Sequence, residues 1–193
     1  PWAGWAVALA AGGFALKMGL VPGHGWMPLS YTAAPIPAAA VLSGAAVKAG
    51  VIGLIRFLPF DLSGSGEVLV VFGLCSAFYG VAVGLTQSNP KTVLAYSSIS
   101  QMGVLATVLG MGLAAGDAGV RLDAAFYGAH HVLAKGALFL AVGVALSSPV
   151  GRSLPFLALA AIVALGLGGL PFTGGALAKL AVKEPLGKGL VGM

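Results

Sequence analysis

The sequence predicts an all-α, polytopic membrane helix bundle of about six transmembrane helices, two of them broken. Three observations carry this. Only 8% of the 193 residues are charged and 59% are hydrophobic, whereas a soluble domain carries roughly 25% charged residues. The apolar residues gather into runs near the ~20 residues needed to cross a bilayer core. Proline and glycine interrupt two longer runs, near Pro22 and near Pro171–Gly175. A helix broken at membrane depth is tolerated only where protein or a water-lined cavity covers the freed backbone groups.

Taken in order, the first helix is expected at about 2–30, interrupted near Pro22, and a loop at about 31–35 leads to the second at 36–58. The third is expected at 67–86, the fourth at 92–115 and the fifth at 122–147. The sixth, 154–186, breaks near Pro171–Gly175. Connections at 59–66, 87–91, 116–121 and 148–153 are short, with Asn89, Pro90 and Pro149 as turn residues. Such brevity makes consecutive helices antiparallel neighbours. Glycine is abundant, at 31 residues, and small residues let membrane helices approach closely. The four-residue pairs Gly80/Gly84 and Gly112/Gly116 are as readily chance in so glycine-rich a chain.

Charge sets the expected orientation. The loops holding Lys91 and Arg152 carry no acid, while Asp61, Glu67, Asp117, Arg121 and Asp123 fall on the other side. The positive-inside rule then puts Lys91 and Arg152 on the cytoplasmic or matrix side. Breaks in the first and sixth helices suggest equivalent members of an inverted repeat. The chain then reads as one membrane domain over 1–193. Residues 1–58 would close a first repeat and 67–193 open a second. With Pro1 already beside a membrane segment, it reads as a fragment of a longer subunit.

Several classes are set aside. The net charge is +5, but the basic residues are scattered singly through apolar sequence, so no nucleic-acid partner is expected. Cys75 is the sole cysteine, which excludes an internal disulfide and a cysteine metal site. No carboxylate or thiol stands at ligand spacing from the histidines. No metal, cofactor or bond-making chemistry is expected in this chain, and any redox site would belong to partners.

The residues suited to carry charge are amines and imidazoles inside apolar helices. Lys17 precedes the first break, Lys48 lies near the middle of the second helix, Lys135 lies deep in the fifth, and Lys179 follows the second break. Charged side chains at membrane depth are costly and usually face an interior path, and burial disfavours the charged form of an amine, tuning it for proton exchange. The competing explanation is snorkelling to an interface, which suits Lys183 and Lys188 but not the deeper Lys48 and Lys135. His131 and Lys135 are four apart and share a helix face, with Tyr127 one turn back. Imidazole relays protons near neutral pH, although a histidine is also a common interior hydrogen-bonder. Tyr127, His24 and His130 are second-rank pathway candidates. His24 either lines a water path or caps loose backbone. Trp2, Trp5 and Trp26 are interfacial anchors or packing residues, and Arg56 reads as an interface residue. The hydroxyls of Tyr96, Ser97, Ser98 and Ser100, with Gln101, either bond backbone or line a hydrated path.

Several stretches resemble the antiporter-like membrane subunits of respiratory complex I, related membrane hydrogenases and multi-subunit cation/proton antiporters. Lys17–Met18 with Val21–Pro28 resembles that family's seventh helix, and Ala34–Pro35 through Lys48–Gly50 its eighth. Lys91 through Leu94–Gly103 resembles the start of its second repeat. His131 through Lys135–Leu140 resembles its eleventh helix, and Gly169–Gly175 with Lys179 its broken twelfth. The resemblance implies a hydrophilic axis of lysines and histidines joining two half-channels. Lys17 would match the lysine that pairs with a glutamate lying upstream of residue 1. Lys48 would match the next relay lysine, His131 and Lys135 the link, and Lys179 the group serving the second half-channel. Two positions depart from the pattern. Leu29 stands where an aspartate is frequent, as in some hydrogenase-associated members, and Tyr127 replaces a histidine.

The expected function is therefore proton translocation by a subunit of a redox-driven complex, of the NADH:quinone oxidoreductase or hydrogenase type. It would sit in a bacterial cytoplasmic membrane or an organelle inner membrane, with the bilayer and other membrane subunits as partners. The alternatives are sodium/proton exchange and a non-transporting scaffold. Sodium prefers oxygen ligands, and this stretch holds no mid-membrane carboxylate.

Overall fold

The computed structural model describes residues 2–58 and 64–192. Asp61 and the side chains of Trp2 and Lys188 lie outside the described residues. Within them the chain is all-helical, and the breaks fall where glycine and proline demand them.

Helix α1 (Trp2–Met18) stops at Gly19, whose φ of 76° suits a residue without a side chain. The Gly19 and Leu20 amides close the helix on Leu16 O and Ala15 O. A 3-10 turn, Gly23–Gly25, then leads into α2 (Trp26–Ala33). The two halves are bent by 41°. Groups freed by this break find partners. The Val21 amide donates to Ser76 Oγ at 2.9 Å, and Trp26 Nε1 donates to Leu16 O at 3.0 Å. Trp26 is thus a packing residue, while Trp5 is exposed.

The loop expected at 31–35 is shorter, because Tyr31–Ala33 remain helical. Only Ala34 and Pro35 are extended, since a residue before proline disfavours the α region. Lys91 holds this corner, donating from Nζ to Thr32 O at 2.7 Å and Ala34 O at 2.6 Å. The second span runs Ile36–Phe57. It comprises α3 (Ile36–Val41), a π turn (Leu42–Ala46) and α4 (Lys48–Phe57), with Arg56 exposed in the last turn.

Helices α5 (Ser65–Gly84) and α6 (Pro90–Ala114) pack most intimately. A Cβ at Gly73 would lie 2.6 Å from Thr107 N, one at Gly80 2.6 Å from Ser100 N, and one at Gly66 2.6 Å from Gly110 O. The contact stripe therefore repeats every seven residues rather than four. Asn89 caps α6, its Oδ1 accepting from the Lys91 amide at 2.9 Å, and Pro90 occupies the first turn where no donor is needed.

Helix α7 (Val120–Ser147) crosses the centre beside α6. The expected sixth span is broken as its glycines and proline predict, into α8 (Val150–Leu167) and α9 (Gly174–Gly192), separated by 168–173. Gly169 (φ 92°) and Phe172 (φ 65°) make that break. By length and composition α3–α4, α5, α6 and α7 are full spans, the bent α1–α2 pair is a fifth, and Arg152–Leu167 is a shorter apolar helix. Helix α6 is the hub of the core, with Ile99, Met102, Leu105, Ala106 and Val108 fully buried. Many large apolar side chains, among them Leu9, Phe78, Leu133 and Leu159, face outward, as the outer surface of a membrane bundle does in contact with lipid tails or neighbouring subunits.

Candidate functional site

Four elements meet around a polar core that the sequence scatters over 93 residues, from Ser43 to Lys135. Lys48 opens α4, Ser43 sits in the π turn before it, Leu94 and Ser98 lie on α6, and His131 and Lys135 lie on α7. His131, Lys135, Ser43 and Ser98 are fully buried, and Lys48 is 6% exposed. The two lysines therefore turn inward rather than snorkelling.

Lys48 Nζ donates to the Ser43 carbonyl at 2.8 Å and lies 2.5 Å from His131 Nδ1. Ser43 Oγ and Ser98 Oγ are 3.0 Å apart. Ser98 Oγ donates to Leu94 O at 3.0 Å, which leaves Ser43 as donor to Ser98. Lys135 Nζ donates to the same Leu94 carbonyl at 2.9 Å. One hydrogen-bonded string thus runs from His131 through Lys48, Ser43, Ser98 and Leu94 to Lys135. The π turn helps to build it by carrying both Ser43 groups, and such turns favour functional sites. On the other edge of the ring, His131 Nε2 is buried and meets no partner among the described residues.

One turn back from His131, the buried Tyr127 hydroxyl donates to Gln101 Oε1 on α6 in a short hydrogen bond. These two residues line a cavity of about 1030 Å³, together with Thr173, Lys179 and Lys183. Lys179 is exposed there and donates from Nζ to Gly168 O at 2.5 Å, capping the end of α8. His130 is half-buried and faces away, its ring beside Gly174 at the start of α9. Lys17 is exposed, its Nζ 6.0 Å from the Trp26 ring centroid, at the outer limit of a cation–π contact. His24 packs edge-on against Tyr79 at 4.7 Å, with Nδ1 buried and meeting no partner among the described residues. The structure therefore joins Lys48, His131 and Lys135, and sets Lys17, Lys179, His24 and His130 apart from them.

Sequence reasoning did not single out Ser43. It left Ser98 and Gln101 undecided between bonding backbone and lining a path, and it used Lys91 only for orientation. Seryl residues inside apolar helices facing the lysine-bearing faces were the available signal. Among the described residues, no group of three or more His, Cys, Asp or Glu gathers to hold a metal ion.

The family model described as "NADH:quinone oxidoreductase/Mrp antiporter, TM" matches residues 3–184. The chain belongs to that family. Within it, the chain is 38% identical over 192 residues to "NADH-quinone oxidoreductase subunit N" of Geotalea uraniireducens (strain Rf4), covering 93% of this chain and 40% of that protein. It is 33% identical over 153 residues to "Hydrogenase-4 component B" of Escherichia coli (strain K12), covering 72% and 23%. A chain in the structure of the Mrp complex from Dietzia sp. DQ12-45-1b superposes with a TM-score of 0.79 at 27% identity, covering 97% of this chain and 37% of that one. The chain thus spans well under half the length of these relatives. By their names, these relatives are a subunit of an oxidoreductase, a component of a hydrogenase and a chain in the Mrp complex.

Proposed function

We propose that this chain belongs to a proton-translocating subunit in a redox-driven membrane complex, of the NADH:quinone oxidoreductase or hydrogenase type. The observation that carries the reading is the buried contact between Lys48 Nζ and His131 Nδ1 at 2.5 Å. Two like charges at this spacing, away from water, repel strongly, so the pair holds one proton more readily than two. A proton arriving at one member favours release from the other. The hydrogen bonds through Ser43, Ser98 and the Leu94 carbonyl hold Lys135 in register with this pair; their peptide carbonyls position the amines and do not themselves relay a proton. Lys179 stands at the cavity that Tyr127 lines one turn before His131, and would deliver protons to or from the pair. The chemistry of the string favours protons over sodium, since it offers amines, imidazole and hydroxyls and no carboxylate to neutralise a metal cation.

Residues 1–58 are assigned to the end of one repeat and 67–193 to the start of its inverted counterpart. The Lys91 and Arg152 loops face the cytoplasm or matrix. Other membrane subunits of the complex cover the apolar outer faces.

The test is proton uptake by the intact complex in sealed vesicles, with Lys48→Ala and Lys179→Ala in the full-length subunit. Both variants are expected to lower proton uptake while the complex assembles. Undiminished uptake in both overturns the assignment.

A further inference from the structure

We infer that Tyr127 is a neutral gate between the buried Lys48–His131 pair and the Lys179 cavity, and that Gln101 is the latch that holds it shut; the inference rests on the transport reading above. Tyr127 stands on the same face of α7 as His131, one turn away, and both are buried. His131 keeps a buried Nε2 atom that no described group satisfies. On its other side, Tyr127 lines the cavity that holds Lys179 and Lys183. Tyr127 therefore has the buried pair on one side and the cavity on the other.

The hydroxyl hydrogen is committed to Gln101 Oε1. An amide oxygen is a sound acceptor, but an amide does not pass a proton onward under ordinary conditions, so this bond is a dead end for transport. In the latched state the phenol oxygen still has a free lone pair and no hydrogen to offer the cavity. When the hydroxyl turns away from Gln101, its hydrogen points at the cavity. The oxygen accepts a proton from the His131 side, by way of a water, as its own proton leaves to a water beside Lys179. One O–H bond forms and one breaks, and the phenol is neutral before and after. The charge that moves is the proton alone, so no tyrosinate is needed. The latch is a single hydrogen bond, whose net contribution is modest. Opening is therefore well within reach of a charge change on the neighbouring histidine. Gln101 is a positioning residue, acting only through Tyr127.

The experiment uses the intact complex in vesicles and reads both turnover-driven proton uptake and passive proton leak in the resting state. Tyr127→Phe keeps the ring and removes the relay oxygen, and is expected to lower driven uptake roughly tenfold or more without raising the leak. Gln101→Leu removes the latch and keeps the relay, and is expected to raise the passive leak severalfold with driven turnover retained. A purely structural role would lower both readouts together with assembly. Unchanged uptake in Tyr127→Phe, or an unchanged leak in Gln101→Leu, overturns the gate. If Lys48→Ala abolishes uptake while Tyr127→Phe does not, the gate fails and the transport reading survives; if neither variant matters, both fail.

Discussion

The hydroxyl of Ser76, on α5, accepts the backbone N–H of Val21 at 2.9 Å across 55 residues of sequence while donating to its own Phe72 carbonyl at 2.6 Å. One buried side chain thereby satisfies an amide that the break between α1 and α2 would otherwise strand. Ser76→Ala is expected to cost about 1–3 kcal/mol, the penalty for an unpaired buried donor, read as a lower unfolding temperature of the detergent-solubilised complex. Ser76→Thr keeps the acceptor and is expected to restore much of the loss.

Close approach of α5 and α6 makes a second prediction. A Cβ at Gly73 meets Thr107 N at 2.6 Å and Gly103 O at 2.8 Å, and backbone atoms do not yield as a flexible side-chain tip does. Gly73→Val is expected to force the helices apart and sharply reduce assembled subunit, measured as the fraction incorporated into the complex. Gly136 meets nothing within 4 Å of its Cβ position, so Gly136→Ala is the matched substitution that leaves incorporation unchanged.

Lys91 fastens the corner after α2 through two carbonyls. Charged donors contribute about 1.5–3 kcal/mol per hydrogen bond. Lys91→Met is expected to loosen this corner, seen as faster amide hydrogen exchange at 34–38 with the spans themselves still protected.

Ser98 bridges the two halves of the buried string, accepting from Ser43 and donating to Leu94 O. Ser98→Ala removes the Ser98 hydroxyl that meets Ser43 and the contact that holds Lys48 and Lys135 in register. Proton uptake is expected to fall by roughly threefold to tenfold, about 1 kcal/mol at the transfer step. Ser98→Thr is expected to stay near the parent value.

The helical architecture was legible because composition, run length and proline placement all bear on it. The breaks near Pro22 and Pro171–Gly175 were legible for the same reason. Helix ends were less so: Tyr31–Ala33 read as loop from the nearby prolines, yet the helix persists until the residue before Pro35. The glycine contacts do not show in four-residue pairs, because Gly66, Gly73 and Gly80 repeat every seven. His131 and Lys135 were legible as one face from a spacing of four. That Lys48 meets His131 was not, since 83 residues separate them and only helix packing sets their distance. The π turn that brings Ser43 beside Lys48 leaves no periodicity signal in so short a run. The exposure of Lys17 also lay beyond the sequence, because burial depends on neighbours rather than on local hydropathy.

A double-mutant cycle on proton uptake by the intact complex, using Lys48→Met, His131→Leu and both together, asks whether these two side chains share one proton. If the two side chains pass one proton between them, each single variant removes the step and the double variant is no worse than either. Single losses that multiply in the double variant, or uptake at the parent rate in any of the three, would contradict the account.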